Sequence, residues 1–386
     1  MSYPFLGLGF NSWTQKFSRG GPPAVPAVIQ AFLEYVTTTV SSFTLRSTGT
    51  VDYEVDWGDG TVETLTTTAP THTYSSAGEY TIKVTPAQGS TYRPYFNNAV
   101  SDSSIASISG LGGSQLGTIL SDAWEGASNM TSFSSDIDTS SVTDFSSAWR
   151  NCAGLTSFPL LNTSSGTNFT YTWRNCSGLT SFPLLNTSSG TNFIGAWYNC
   201  TGLTSFQLLN TSSGTNFTSA WYGCTALTSF PLLNTSSGTN FIYTWRNCAG
   251  LTLFPTLNTS SGTNFIGAWN GCSGLTSFPL LNTSSGTNFT SAWNGCTALT
   301  SFPANMFDTT GTLISTAFRY AFDNCSLTAQ SIENILVSLD TNGASNIILG
   351  LGVPGDGNAG YSTWTAAAQT ALTNLQGKGW NVTYNA

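Results

Sequence analysis

The amino-acid sequence predicts a mainly β protein: a small N-terminal β-sandwich, a solenoid of 24-residue coils, and an α/β cap that closes the stack. Three observations carry that prediction. Short runs of alternating apolar and polar residues fill residues 39–97, the mark of half-buried strands. A motif reading C-x-x-L-T-S-F-P-L-L-N-T-S-S-G-T-N-F-x-x-x-W then returns almost verbatim every 24 residues. After residue 325 the pattern changes to helical spacing.

The lead-in, residues 1–38, is apolar and broken by Phe17-Ser-Arg-Gly-Gly-Pro-Pro. Pro26 is placed to open a short helix with Val28, Phe32, Tyr35 and Val36 on one face. Such a segment suits a docking arm, or an element lying on the next domain. The first ten residues show no basic n-region, sustained apolar core or small-residue cleavage site, so export by a signal peptide is not expected. Release inside assembled virus particles is one other route out of a cell.

Strands are expected at Phe43-Thr-Leu-Arg, Val51-Asp-Tyr-Glu-Val-Asp-Trp, Thr61-Val-Glu-Thr-Leu and Tyr80-Thr-Ile-Lys-Val, with Gly58-Asp-Gly as a tight turn. VDWGDG (55–60), THTY (71–74) and AGEYTIKV (77–84) together resemble a PKD domain, an immunoglobulin-like module. The resemblance implies that Trp57 is core, that Gly58-Asp59-Gly60 turns, and that His72 and Tyr74 are structural. It also implies a spacer or binding module.

The solenoid is expected over residues 100–325. Cys152, Cys176, Cys200, Cys224, Cys248, Cys272 and Cys296 are equally spaced, each three residues after a tryptophan, Trp149 through Trp293. A fixed period means identical coils, each burying its apolar face on the next. Leu179 and Phe182 are expected on a short strand pairing one period away, Leu185, Phe193 and Trp197 inward, and Asn186 and Gly190 at turns. The first and last coils are degenerate, as the ends of a stack must be. In the cap, residues 326–386, Thr328 caps a helix with Ile332, Ile335, Leu336 and Leu339 on one face. A short strand at Ile347, a second helix from Ser362 to Leu375 and a last strand at Trp380 follow. The Cys-x-x-Leu step with an aromatic residue three positions earlier resembles the BspA-type leucine-rich-repeat surface proteins. IENILVSLDTNGASN (332–346) and LQGKGWNVTYN (375–385) resemble the cap that ends such repeats in phage and bacterial surface proteins.

Composition narrows the function classes. Only 7% of residues are charged and the net charge is −8, so no basic footprint for nucleic acid exists. No apolar run reaches the length of a membrane span. One His and cysteines without ligand partners inside a coil argue for buried thiols, not metal or cofactor sites. Asp136, Asp138 and Asp144 are not paired as acid and base, and no nucleophile has a base placed by motif, so an enzyme is not expected. Asp56, Asp59 and residues 352–358 lack calcium-loop spacing and read as turns.

The variable hexapeptide between Phe and Cys is more informative. It reads TYTWRN, IGAWYN, TSAWYG, then IYTWRN, IGAWNG, TSAWNG, a superperiod of three coils. It brings Tyr171, Arg174, Tyr198, Tyr222, Tyr243 and Arg246 to one edge. That edge suits sugar rings of a repetitive polysaccharide, or simply covers the coils. Three function classes follow. The first is a phage virion surface protein (fibre, spike or capsid decoration), tied to other virion proteins by its arm and meeting host polysaccharide or protein. The second is a bacterial BspA-type adhesin; the third is a structural cement protein. Homo-oligomeric copies on the particle surface would favour the third.

Overall fold

The computed structural model describes residues 32–49, 51–97, 103–111 and 116–385. The expected virion anchor lies outside these residues except for its last stretch, and that stretch is not helical. Phe32–Thr37 forms β1, with Leu33, Tyr35 and Thr37 buried and the residues between them half-buried. Phe32, Tyr35 and Val36 therefore sit on a strand of period two, not on one face of a helix. The β-branched and aromatic run EYVT satisfies its backbone by pairing on both sides.

The N-terminal β-sheet domain is built from similar short strands: β2 (Val40–Thr44), β3 (Ser47–Thr48), β4 (Tyr53–Asp56), β5 (Val62–Leu65), β6 (Thr71–Gly78), β7 (Thr81–Pro86) and β8 (Arg93–Pro94). β9 (Ile105–Leu111) and β10 (Ser132–Phe133) extend the main sheet, whose order is β10-β9-β1-β7-β4-β5; β2 pairs β6 and β3 pairs β8. Tyr35, Phe43, Tyr53, Val55, Trp57, Ile82, Val84, Tyr92 and Phe96 fill the space between them. Trp57 is fully buried, and His72 stacks on its indole at 5.0 Å while Nε2 meets Asp59 Oδ2 at 2.8 Å.

The expected division between residues 97 and 100 is bridged by a shared strand. β9 pairs antiparallel with β1 and parallel with β10, the first extended piece of the repeats. One edge of the N-terminal sheet thus continues into the repeats.

The repeats contain little regular secondary structure. The strand expected at Leu179–Phe182 reduces to one backbone hydrogen bond in most coils, such as Thr180 N to Thr156 O and Thr204 N to Thr180 O, with a bridge at this position between Ser277 and Ser301. Regular pairing lies elsewhere, at the Asn before each Phe: Asn168, Asn192, Asn216, Asn240, Asn264 and Asn288 form a parallel ladder. Pro183 and its equivalents explain the shift, since proline removes the donor that a strand after Phe182 would need.

Side chains stack in register with the backbone. Phe169, Phe193, Phe217, Phe241, Phe265 and Phe289 form a column at 5.2–5.6 Å between ring centres. Trp124 through Trp293 form a second, at 5.2–6.1 Å, ended by Phe322. The two 6.1 Å gaps follow Trp149 and Trp221, in the coils whose wall carries Thr172 or Thr244 in place of alanine. All eight cysteines are buried thiols. Their thiols donate to the tryptophan carbonyl of the preceding coil, as Cys176 Sγ does to Trp149 O at 3.0 Å. Burial pushes the thiols of Cys224 and Cys272 up to about 12.

The C-terminal part is small and helical. α1 (Ala329–Asn342) starts at Thr328, whose hydroxyl accepts from Ser331 N, and ends at Gly343 with φ +80°. Ile332, Ile335, Leu336 and Leu339 are buried, as the spacing requires. α2 (Ala366–Gly377) is capped by Thr365. β11 (Ile348–Gly350) and β12 (Asn381–Thr383) pair in parallel, and β11 adds a last row to the stack through Phe318 and Leu349.

Candidate functional site

The hexapeptide after each Phe adopts an unusual backbone, and that backbone sets the candidate edge. In one coil Phe169, Tyr171, Trp173 and Asn175 donate their N–H groups forward to Asn192, Ile194, Ala196 and Tyr198 of the next coil, at 2.7–2.9 Å. The carbonyls of Asn168, Thr170, Thr172 and Arg174 accept backward from Phe145, Ser147, Trp149 and Asn151. The intervening Thr172, Arg174 and Cys176 bond within the coil, three residues back. Four peptide groups per coil therefore point the same way along the stack. Their dipoles add head to tail as in a helix, negative toward the sandwich and positive toward the cap.

The ends are matched to that polarity. Arg93 Nη2 lies 3.4 Å from Ser121 O at the carbonyl end. At the N–H end Asp356 Oδ2 accepts from Asn324 N, and Asp323 Oδ1 accepts from Gly352 N. Burial holds the Asp323 carboxyl above its ordinary range. The loop 352–358 is accordingly built by turn bonds, with Asp356 also accepting from Val353 N and Asn358 N.

Such a backbone requires two left-handed residues per coil. They are Tyr171 (φ +55°) and Asn175 (φ +61°), then Gly195 and Asn199, then Ser219 and Gly223. Asparagine and glycine are the expected occupants; tyrosine there costs about 1–2 kcal/mol. What Tyr171 gains is a surface. Its ring lies over Gly195 so closely that a Cβ on Gly195 would sit 2.5 Å from it. Tyr243 covers Gly267 in the same way. The three-coil superperiod is therefore a packing unit, with tyrosine in one coil demanding glycine in the next.

All six expected edge residues are half-buried and fall into one chain of contacts. The Arg174 guanidinium lies 5.1 Å from the Tyr171 ring centre and 4.6 Å from that of Tyr198. Tyr198 stacks on Tyr222 at 4.5 Å and 8°. Arg246 then lies 5.7 Å from Tyr222 and 5.0 Å from Tyr243. Six side chains from four consecutive coils thus make a continuous aromatic and cationic strip. Burial, with Tyr222 beside it, raises the Tyr198 hydroxyl above its ordinary value.

Of the three carboxylates Asp136, Asp138 and Asp144, two serve as turn caps. Asp138 Oδ1 accepts from Ser140 N, and Asp144 Oδ1 accepts from Ser146 N and from Asn168 Nδ2. Asp144 simply fills the asparagine row. Among the described residues no cluster of three His, Cys, Asp or Glu is placed to hold a metal ion. No described helix is long and apolar enough to cross a membrane.

One surface feature was missed in the sequence. Leu160, Leu184, Leu208, Leu232 and Leu280 are 50–63% exposed, one per coil. The signal was the Leu-Leu doublet that begins two residues after Phe158, Phe182, Phe206, Phe230 and Phe278: Leu185 points inward, so its neighbour on an extended chain points out.

No curated protein and no solved structure matches the chain. Its N-terminal part does have a relative: residues 23–92 match the PKD domain family, which takes in β1 through β7 and begins before the boundary expected at residue 39.

Proposed function

We propose that the chain is a non-enzymatic surface-display protein of a phage virion. In this reading the arm expected at residues 1–38, which gives way to β1 at Phe32, attaches it to other virion proteins, the PKD domain spaces, and the repeats, a BspA-like leucine-rich-repeat solenoid, present the strip to host polysaccharide. The observation that carries the reading is the unbroken contact chain from Tyr171 to Tyr243, whose stacked Tyr198 and Tyr222 rings give a flat, half-exposed platform. Tyrosine faces take the apolar faces of sugar rings, and the flanking Asn and Thr groups take hydroxyls. A receptor that repeats suits a surface that repeats.

A second reading, a structural decoration without a ligand, draws on one specific observation. Both arginines of the strip already lie over tyrosine rings of their own chain. A bacterial cell-surface adhesin is the remaining alternative.

The test is binding of the labelled full chain to candidate host cells before and after their polysaccharide is stripped, beside the double variant Tyr198→Ala, Tyr222→Ala. Saturable binding lost on stripping and lost in the variant supports attachment. Equal binding by the variant removes the strip from the account, and no binding to any host favours the decoration.

A further inference from the structure

The exposed leucines form a row that the proposed attachment function does not use. Leu160, Leu184, Leu208 and Leu232 follow one another in consecutive coils at 58–63% exposure, and Leu280 continues the row two coils on. The interrupted coil carries Thr256 in the row but places Leu253 outward instead, at 62%. Each of these six coils therefore keeps one outward leucine. At roughly 100 Å² apiece the five leucines of the row expose about 500 Å² of apolar surface, toward the upper end of what a monomer ordinarily leaves uncovered. With the adjoining Pro and Thr side chains the face approaches the ~800 Å² per partner that a stable pair needs.

The surroundings select the occupant. From residue 151 to residue 307 the only charged side chains are Arg174 and Arg246, and both lie over tyrosine rings of the strip. Nothing on the leucine face repels an identical face, and nothing there offers a charge for a different partner to neutralise. The row also repeats with the coil spacing, so the surface sure to match its period is another copy of the same stack. The aligned peptide groups give the stack a polarity, which favours two copies lying in opposite directions.

We propose that two copies of the chain pair side by side and antiparallel through this leucine row, with Leu160–Leu232 of one copy against Leu232–Leu160 of the other. The pair is isologous, the same patch on both copies, and so closes as a dimer.

The test uses the full chain in sedimentation velocity across a concentration series, beside the triple variant Leu184→Thr, Leu208→Thr, Leu232→Thr. Thr256 already occupies this row, so the substitutions keep the coil, and unchanged near-ultraviolet dichroism of the tryptophan column checks it. The parent should dimerise, and the variant should weaken dimerisation roughly tenfold or more. A parent that stays monomeric, or a dimer that the triple variant leaves intact, overturns the proposal. If deleting residues 1–31 creates a dimer absent from the full chain, the row is covered by the chain's own N-terminal segment and the proposal also fails. Orientation is read by added surface thiols, since the native ones are all buried. Leu160→Cys mixed with Leu232→Cys should cross-link on oxidation, whereas self-linking of Leu160→Cys would contradict the antiparallel arrangement.

Discussion

Adding a single methyl group at Gly214 tests the packing of the coils most sharply. A Cβ there would lie 2.5 Å from Phe217 Cζ, 3.2 Å from Phe193 Cε2 and 3.1 Å from the Thr211 carbonyl. Both rings are fully buried and stacked on their neighbours at 5.5–5.6 Å, so neither can swing away without moving a column. Overpacking of this kind costs about 1–3 kcal/mol. The loss of glycine's freedom in the unfolded chain offsets about 0.4–1 kcal/mol of it. Gly214→Ala should therefore lower stability by about 1–2 kcal/mol. Gly377→Ala is the matched control: nothing lies within 4 Å of its Cβ position, and it ends α2, so the same change should be neutral or stabilising by about 0.5–1 kcal/mol. Urea unfolding followed by tryptophan fluorescence measures both. Shortening the ring with Phe217→Leu should relieve the clash, making the double variant at least ~0.5 kcal/mol better than the sum of the singles. Parental stability for Gly214→Ala, or strict additivity with Phe217→Leu, would mean that the Phe193 and Phe217 rings do not close the space above Gly214.

Other outcomes follow from the same structure. Burial raises the thiols of Cys176, Cys200, Cys224, Cys248, Cys272, Cys296 and Cys325 above their unfolded value. A folded pKa above the unfolded one gives stability that is full below the unfolded value and lost as pH rises toward the folded one. Stability should thus fall between pH ~8.5, where unfolded thiols begin to ionise, and about 12, by up to ~1.4 kcal/mol per pH unit for each thiol. Alkaline denaturation checks this, and native thiols should resist alkylation at neutral pH until the chain unfolds. Asp356→Ala removes the acceptor for Asn324 N and Val353 N, costing about 1–3 kcal/mol and speeding amide exchange over residues 318–324 before it does so in the central coils. Gly195→Ala should displace the Tyr171 ring and disturb the strip from one end, seen as altered tyrosine fluorescence, with Gly267→Ala acting alike at Tyr243.

The period was legible because stacking demands the same buried residue at each turn, and Phe193, Trp197, Leu185 and Cys200 are all buried as that demand requires. The helix face of Ile332, Ile335, Leu336 and Leu339 was legible for the analogous helical reason. Alternation located the strands of the PKD domain, but a pattern of Phe32, Tyr35 and Val36 also fits helical spacing over so short a run. Pairing on both sides by β7 and β9 decided for the strand, and that is tertiary information. The backbone of the hexapeptide was not legible. Tyr171 in a left-handed conformation defies its own preference and is held by a neighbour one coil away. For the candidate strip, the superperiod identified its six residues, while the order of contacts, Arg174 between Tyr171 and Tyr198, needed the coil-to-coil register. The leucine row was present as a doublet, but choosing its outward member needed the direction of the chain.

Identical coils stack, and each is held by its immediate neighbours. Deleting residues 173–244, one superperiod, joins Thr172 to Trp245 in phase and tests that claim directly by small-angle scattering of the full chain and the deletion. At a dilution where both are monomeric, three coils at strand spacing of ~4.8 Å should shorten the longest dimension of the stack by ~14 Å, with unchanged cross-section and native tryptophan dichroism. An unfolded product, or a folded one of unaltered length, would contradict the account.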